Sequence, residues 1–318
     1  MSRPEAEKDT QLRLGIDLGG TKIAAIVLNQ EGEVFAKRRI PAPHGSYRKT
    51  VEAIGELVIS LDQEVGKKSR IGIGMPGSIS PVSGCVQNAN STWLNAKPFK
   101  QDVEEWLQRP VRMANDANCF ALSEAVDGAG AGAISVFGVI LGTGCGGGLS
   151  INEKILDGPH GISGEWGHNP LPWPNADENP GPRCWCGRRG CMETWVSGPG
   201  LSADHKRSCG QNYTAEEIAA QAAKGNAEAR RTLDRHASRL ARGLAMVVNI
   251  IDPETIVLGG GLSMMDHLYI ELPNLMQPHL FCEAGALRIK PPLHGPESGV
   301  RGAAWLWGRP KAGLAAAR

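Results

Sequence analysis

The chain has 318 residues, 41% of them hydrophobic and 21% charged, with a formal net charge of +1. That length carries one large domain or two medium ones with real cores, and the balanced charge excludes electrostatic capture of nucleic acid or of an anionic membrane. The polar opening MSRPEAEKDTQ lacks the apolar run of a secretion signal, and no window reaches the roughly 18 uninterrupted apolar residues of a membrane helix, so a soluble cytoplasmic protein is expected.

In chain order, residues 12–18 and 22–29 read as strands joined by Gly-Gly-Thr, and 32–40 as a third strand. Residues 46–66 carry Val51, Ile54, Leu57, Val58 and Leu61 at helical spacing. RIGIGMPG (70–77) is a strand, followed by a loop rich in Asn, Ser and Gly. Residues 100–108 read as a short helix, VRMAND (111–116) as a strand and DANCFALSEAVDG (116–128) as the next helix.

The first motif then recurs. FGVILGTGCGGGLSINEK, from Phe137, lies over LGIDLGGTKIAAIVLNQE, from Leu14, matching Gly15 with Gly138, Gly19 with Gly142 and Asn29 with Asn152. Two related α/β domains are expected, each opening on a β-hairpin. Asp17 aligns with Ile140, so the carboxylate belongs to one copy only. Residues 157–200 are rich in Gly, Pro, Trp and Cys with little periodicity, which suggests a functional or metal-held loop. Helices follow near 213–223, 226–251 and 265–278. The middle one lines up Leu233, Leu240, Leu244, Val247, Val248 and Ile251 on one face. DPETIVLGGGLS (252–263) is a buried strand ending in glycines, and GVRGAAWLW (299–307) is a final helix.

Three strand ends carry glycine: Gly19-Gly20, Gly142-Thr143-Gly144 and Gly259-Gly260-Gly261. Glycine lets backbone N–H groups approach anionic oxygens, and Thr21 and Thr143 add hydroxyls, so a polyphosphate clamp is expected. No G-x-x-x-x-G-K-[ST] and no clean G-x-G-x-x-G before a helix occurs, which argues against P-loop and Rossmann folds. Asp17, at the first strand end, suits a metal-bound water near phosphate, or an Asx-type turn bond. Asp116, in NDAN after Asn115, reads as a helix N-cap and also as a base that takes a proton during phosphoryl transfer.

His168, Cys184, Cys186 and Cys191 have the spacing H-x15-C-x-C-x4-C. One imidazole and three thiolates suit tetrahedral Zn²⁺ with all four positions filled, a structural site. Three of the eight cysteines crowd here, while Cys85, Cys119, Cys145, Cys209 and Cys282 are scattered, as in a reducing compartment. Such a zinc would orient Glu165 and Glu193, whose carboxylates could accept hydrogen bonds from sugar hydroxyls.

GIDLGGTK, GIGMPGSI, NDANCFALSEA, LGTGCGGG, GEWGH, CWCGRRGCMETWVSG and VLGGGLS together resemble the ROK family of sugar kinases and repressors, from about Leu12 to Trp307, and no motif position departs. The resemblance implies two actin-like (ribonuclease H-like) α/β domains with sugar and ATP in a cleft between them. One would be 1–120 plus a C-terminal helix of about 300–318. The other would be 121–299 with the zinc segment 164–195. Asp116 would be the base on the sugar hydroxyl. Gly77, Asn90, Asn115, Glu165, His168 and Glu193 would line the sugar site. Asp17, the turn Gly19, Gly20, Thr21 and Lys22, and the turns at 142–144 and 259–261 would hold ATP, with Mg²⁺ bridging its phosphates.

Family repressors carry a helix-turn-helix before the first glycine motif; about a dozen polar residues precede it here, so an enzyme is expected, and a homodimer is implied. NANSTWLN (88–95) and GEWGHNPLPW (164–173) are most similar to the manno/fructokinase branch, which implies fructose or mannose phosphorylated at the 6-hydroxyl. An N-acetylglucosamine, glucose or N-acetylmannosamine kinase is the alternative. A non-catalytic sugar-sensing regulator is the reading from another class; the intact Asp17, Asp116 and glycine turns argue against it.

Overall fold

A computed structural model describes residues 11–282 and 287–309. Contacts divide the chain into two units. The first takes the residues up to Cys119, Pro159–Gly161 and those from Gly299 on; the second takes Phe120–Gly158 and Ile162–Ser298.

In the first unit, β1 (Arg13–Leu18), β2 (Lys22–Leu28) and β3 (Val34–Pro41) form an antiparallel meander. α1 (Tyr47–Glu64) leads to β4 (Arg70–Met75), the small hairpin β5 (Ser78–Ile79) and β6 (Val86–Gln87), α2 (Phe99–Leu107) and β7 (Val111–Asn115). The sheet order is β3-β2-β1-β4-β7, with β4 and β7 parallel to β1. Every α1 residue placed on the apolar face from sequence is buried. α3 (Asp116–Val126) follows β7 directly and carries the chain into the second unit.

There, β8 (Ser135–Leu141), β9 (Cys145–Ile151) and β10 (Lys154–Ile155) repeat the meander. An irregular stretch leads to α4 (Glu193–Val196), α5 (Gly198–Cys209), α6 (Ala215–Ala223), α7 (Ala227–Ile251), β11 (Thr255–Gly259), α8 (His267–Met276) and β12 (Arg288–Lys290). The order β10-β9-β8-β11-β12 matches that of the first sheet strand for strand. α9 (Ser298–Trp305) closes the described chain and belongs, from Gly299, to the first unit.

Glycines in the repeated strands let helices lie directly on the sheets. A Cβ on Gly15 would stand 2.1 Å from the Val300 carbonyl oxygen, and one on Gly72 1.8 Å from that of Ala303, both on α9. On the second sheet, a Cβ on Gly138 would meet Ala121 of α3 at 2.8 Å. No side chain fits at such separations.

Some expectations are corrected. α5 lies at the end of, and beyond, the stretch read as structureless. Its buried face includes Asp204 and His205, which apolar periodicity does not register. Ile251, expected in the core, is the last residue of α7, beyond the packed turns, and is exposed. The final helix ends at Trp305; residues 310–318 of the longer helix expected there lie outside the described residues. Among the described residues no helix is long and apolar enough to cross a membrane.

Candidate functional site

In the first unit, the carboxyl ends of the parallel strands gather several of the singled-out residues. Asp17 pairs with Ala24 on one side and Gly74 on the other, and Met75 pairs with Asn115. Asn115 is held from two directions. Its amide nitrogen donates to the Gly77 carbonyl at 3.0 Å, and its Oδ1 accepts from the Ala117 N–H at 2.9 Å. Asn115 therefore caps α3, the role assigned from sequence to Asp116. Asp116 is instead the first residue of the helix, exposed, with Oδ1 2.9 Å from the Ala117 nitrogen.

Gly77 has φ +71°, and a Cβ there would sit 2.3 Å from the Gln87 carbonyl, so the loop before Asn90 lies against it. Asn95 clasps Ala89 with two 2.9 Å bonds, leaving Asn90 exposed beside it. Burial pushes the Asp17 carboxyl above its usual range; the charges of Lys22 and Arg39 oppose that shift. Gly299, at the start of α9, has no side chain where a Cβ would lie 3.5 Å from Asp17 Oδ2. The turn Gly19–Lys22 closes with a 3.0 Å bond from the Gly19 N–H to the Lys22 carbonyl. Its Gly20, Thr21 and Lys22 are exposed.

In the second unit, two glycine turns meet. A Cβ on Gly260, at φ +81°, would stand 2.4 Å from the Leu141 carbonyl. Gly142, Thr143 and Gly261 line one cavity of about 520 Å³. Gly198, Pro199, Ser202, Asn212, Tyr213 and Thr214 are among the other residues of its wall, and sequence reasoning missed all six. The readable signal was the caps. Ser197 accepts from Gly200 N–H at the start of α5, and Thr214 forms a capping box with Glu217 at the start of α6. The Gly198 N–H donates to the Gly142 carbonyl at 2.8 Å, tying the α5 N-terminus to the turn. Glycine turns and helix N-termini around a cavity of this size suit a nucleotide. The first glycine turn belongs to the other unit.

Glu165, His168 and Glu193 gather on β9. The 3₁₀ turn Trp166–His168 lies on the strand because Gly167 brings its α-carbon close to Cys145, where a Cβ would be 1.9 Å from the carbonyl. The Trp166 indole N–H donates to Gly146 at 2.9 Å. Glu193 Oε2 accepts from the Cys145 N–H at 3.1 Å, and its Oε1 from the Trp185 indole N–H at 2.7 Å. Burial raises the Cys145 thiol well above its usual range, and the charges of Glu193 and Glu165 add to it.

The ligand atoms of His168, Cys184, Cys186 and Cys191 all lie within 4.8 Å of one another. The Cys184 Sγ to His168 Nδ1 distance is 3.6 Å, and the Cys186 Sγ to Cys191 Sγ distance is 3.7 Å. Tetrahedral zinc with Zn–S bonds of about 2.3 Å requires sulfurs roughly 3.8 Å apart, so the four residues fit the ion.

A hub absent from the sequence reading secures this loop. Glu178 accepts from Arg239 Nε at 2.7 Å and from both terminal nitrogens of Arg242 at 2.7 and 2.8 Å. Arg239 also bridges to Asp204 at 2.9 Å. Burial would raise the Glu178 carboxyl, but the bonds from Arg242 and Arg239 hold it at about 2.

The repeated sheet order and glycine turns define the actin-like two-domain α/β class. Within that class the chain belongs to the ROK family, whose model matches residues 13–309. It is 40% identical over 296 residues to the N-acetyl-D-glucosamine kinase of Salmonella paratyphi B, covering 92% of this chain and 98% of that one. Among solved structures it is similar to the ROK hexokinase from Thermus thermophilus, with 31% identity, a TM-score of 0.83 and coverage of 93% and 97%. It is also similar to a ROK family glucokinase from Streptomyces griseus in complex with glucose and AMPPNP, with 28% identity, a TM-score of 0.74 and coverage of 93% and 98%.

Proposed function

We propose that the protein transfers the γ-phosphate of ATP to the 6-hydroxyl of a free hexose, with N-acetylglucosamine the first candidate. The observation that carries the chemistry is Asp116. It is an exposed carboxylate in the first turn of α3, while its neighbour Asn115 makes the cap and the bond to Gly77. Asp116 accepts the proton of the attacking hydroxyl. Glu165, His168 and Glu193 accept or donate hydrogen bonds to ring hydroxyls, together with Asn90, Asn115 and the backbone at Gly77.

The cavity lined by Gly142, Thr143 and Gly261 takes the nucleotide, with Gly144, Gly259 and Gly260 in the same two turns. Thr21 and Lys22, with the Gly19-Gly20 backbone, serve the phosphates. Mg²⁺ would be held with the phosphates near Asp17, whose burial-raised pKa a cation would reverse, and it would supply charge neutralisation. Zn²⁺ on His168, Cys184, Cys186 and Cys191 is structural. Fructose and mannose, expected from two loop segments, are now second to N-acetylglucosamine. The 40% identity to an N-acetyl-D-glucosamine kinase spans 92% of the chain, whereas the loops span two short stretches.

Coupled ADP release across N-acetylglucosamine, fructose, mannose, glucose and N-acetylmannosamine tests the reading. Turnover highest on N-acetylglucosamine supports it. Turnover highest on fructose or mannose returns the expectation from the two loop segments, and no turnover on any of the five rejects a kinase.

A further inference from the structure

Trp185 lies between two of the candidate zinc ligands, Cys184 and Cys186, and is 74% exposed. A tryptophan so open to solvent contributes little to the core. Its indole N–H nevertheless points at Glu193, donating to Oε1 at 2.7 Å. Its ring meets the His168 ring edge-on with centroids 4.8 Å apart. Both contacts are to residues of the candidate sugar site, and one of them is also a candidate zinc ligand.

A carboxylate has about four acceptor positions. The Cys145 N–H fills one on Oε2 and Trp185 fills one on Oε1, so each oxygen keeps one for a sugar hydroxyl. Two donors at opposite oxygens fix the carboxylate plane. Gly144 allows this fit, because a Cβ there would stand 2.8 Å from Oε2.

We propose that Trp185 is a positioning residue that aims Glu193 at the sugar, its own place set by the metal-binding cysteines on either side. The proposal rests on the kinase reading above and goes beyond it by giving the cysteine loop a route to substrate affinity. Loss of the indole N–H frees Glu193 to rotate, weakening sugar binding while the base, the nucleotide cavity and the four metal ligands stay as they are.

The test is Trp185→Phe, which keeps an aromatic ring at this position and removes the pyrrole ring that carries the N–H. N-acetylglucosamine, or whichever hexose of the panel the wild type phosphorylates best, is titrated by calorimetry without nucleotide, and kcat and KM are measured separately. The expected result is a roughly tenfold rise in sugar Kd and KM, with kcat within threefold, unchanged ATP KM and unchanged zinc content. In a Glu193→Gln background the same change should move sugar Kd by less than about twofold, since the charge it positions is gone. Sugar Kd unchanged in Trp185→Phe, or an equal loss in the Glu193→Gln background, overturns the proposal and leaves the kinase reading standing. A wild type that phosphorylates no hexose overturns both.

Discussion

Glu178→Gln removes the negative centre of a buried hub and leaves Arg239 and Arg242, each about 4% exposed at the side chain, facing a neutral amide. The wild-type carboxyl is held at about 2 against an ordinary 4.5. At 1.36 kcal/mol per unit, that depression corresponds to about 3 kcal/mol of stability, and breaking a buried pair by removing one partner is of the same order. The sign follows from the lowered pKa. The contribution is complete above the unfolded value and is lost as pH falls through it towards 2. Urea unfolding should therefore show Glu178→Gln less stable by about 3 kcal/mol at pH 7.5, with the gap narrowing by about 1 kcal/mol at pH 3.5. A gap under about 1 kcal/mol at pH 7.5, or one that widens on acidification, would refute the reasoning. The first result would mean that solvent already screens the arginines, and the second that they do not hold the carboxyl low.

Asp116→Asn should lower kcat by roughly a thousandfold while calorimetry still detects sugar binding, because only the proton acceptor is lost; retained turnover would remove Asp116 as the base. Replacing Cys184 and Cys186 together by Ser should take the zinc content, read by elemental analysis, from about one per chain to none, and raise sugar KM with it. Gly144→Ala should raise sugar KM more than ATP KM, since the new methyl lands 2.8 Å from Glu193 Oε2; equal rises in both would place the damage in the turn rather than at the carboxylate.

Much of the architecture was legible because it repeats. The overlay of Leu14–Glu31 on Phe137–Lys154 anticipated two hairpins, and both sheets are built in one strand order around them. The four candidate metal ligands were readable as a spacing, and their atoms converge. What sequence did not show was convergence across long separations. The Glu178 hub joins an irregular loop to α5 and α7, and no local pattern marks its arginines as buried rather than solvated. Asn115 and Asp116 were equally good caps by type, and only the backbone path decided between them. The cavity wall at 198–214 went unseen because α5 opens on Gly-Pro-Gly and buries polar side chains. The sugar choice needs pocket shape, which side-chain identity alone does not carry.

The helix that lies on Gly15 and Gly72 is contributed from far along the chain, so the first sheet lacks that cover until residues 298–305 have been made. The later half, whose strands and helices are complete by Ser298, can finish folding first. A released chain truncated after residue 297 should then show a protease-sensitive first unit and a resistant second one.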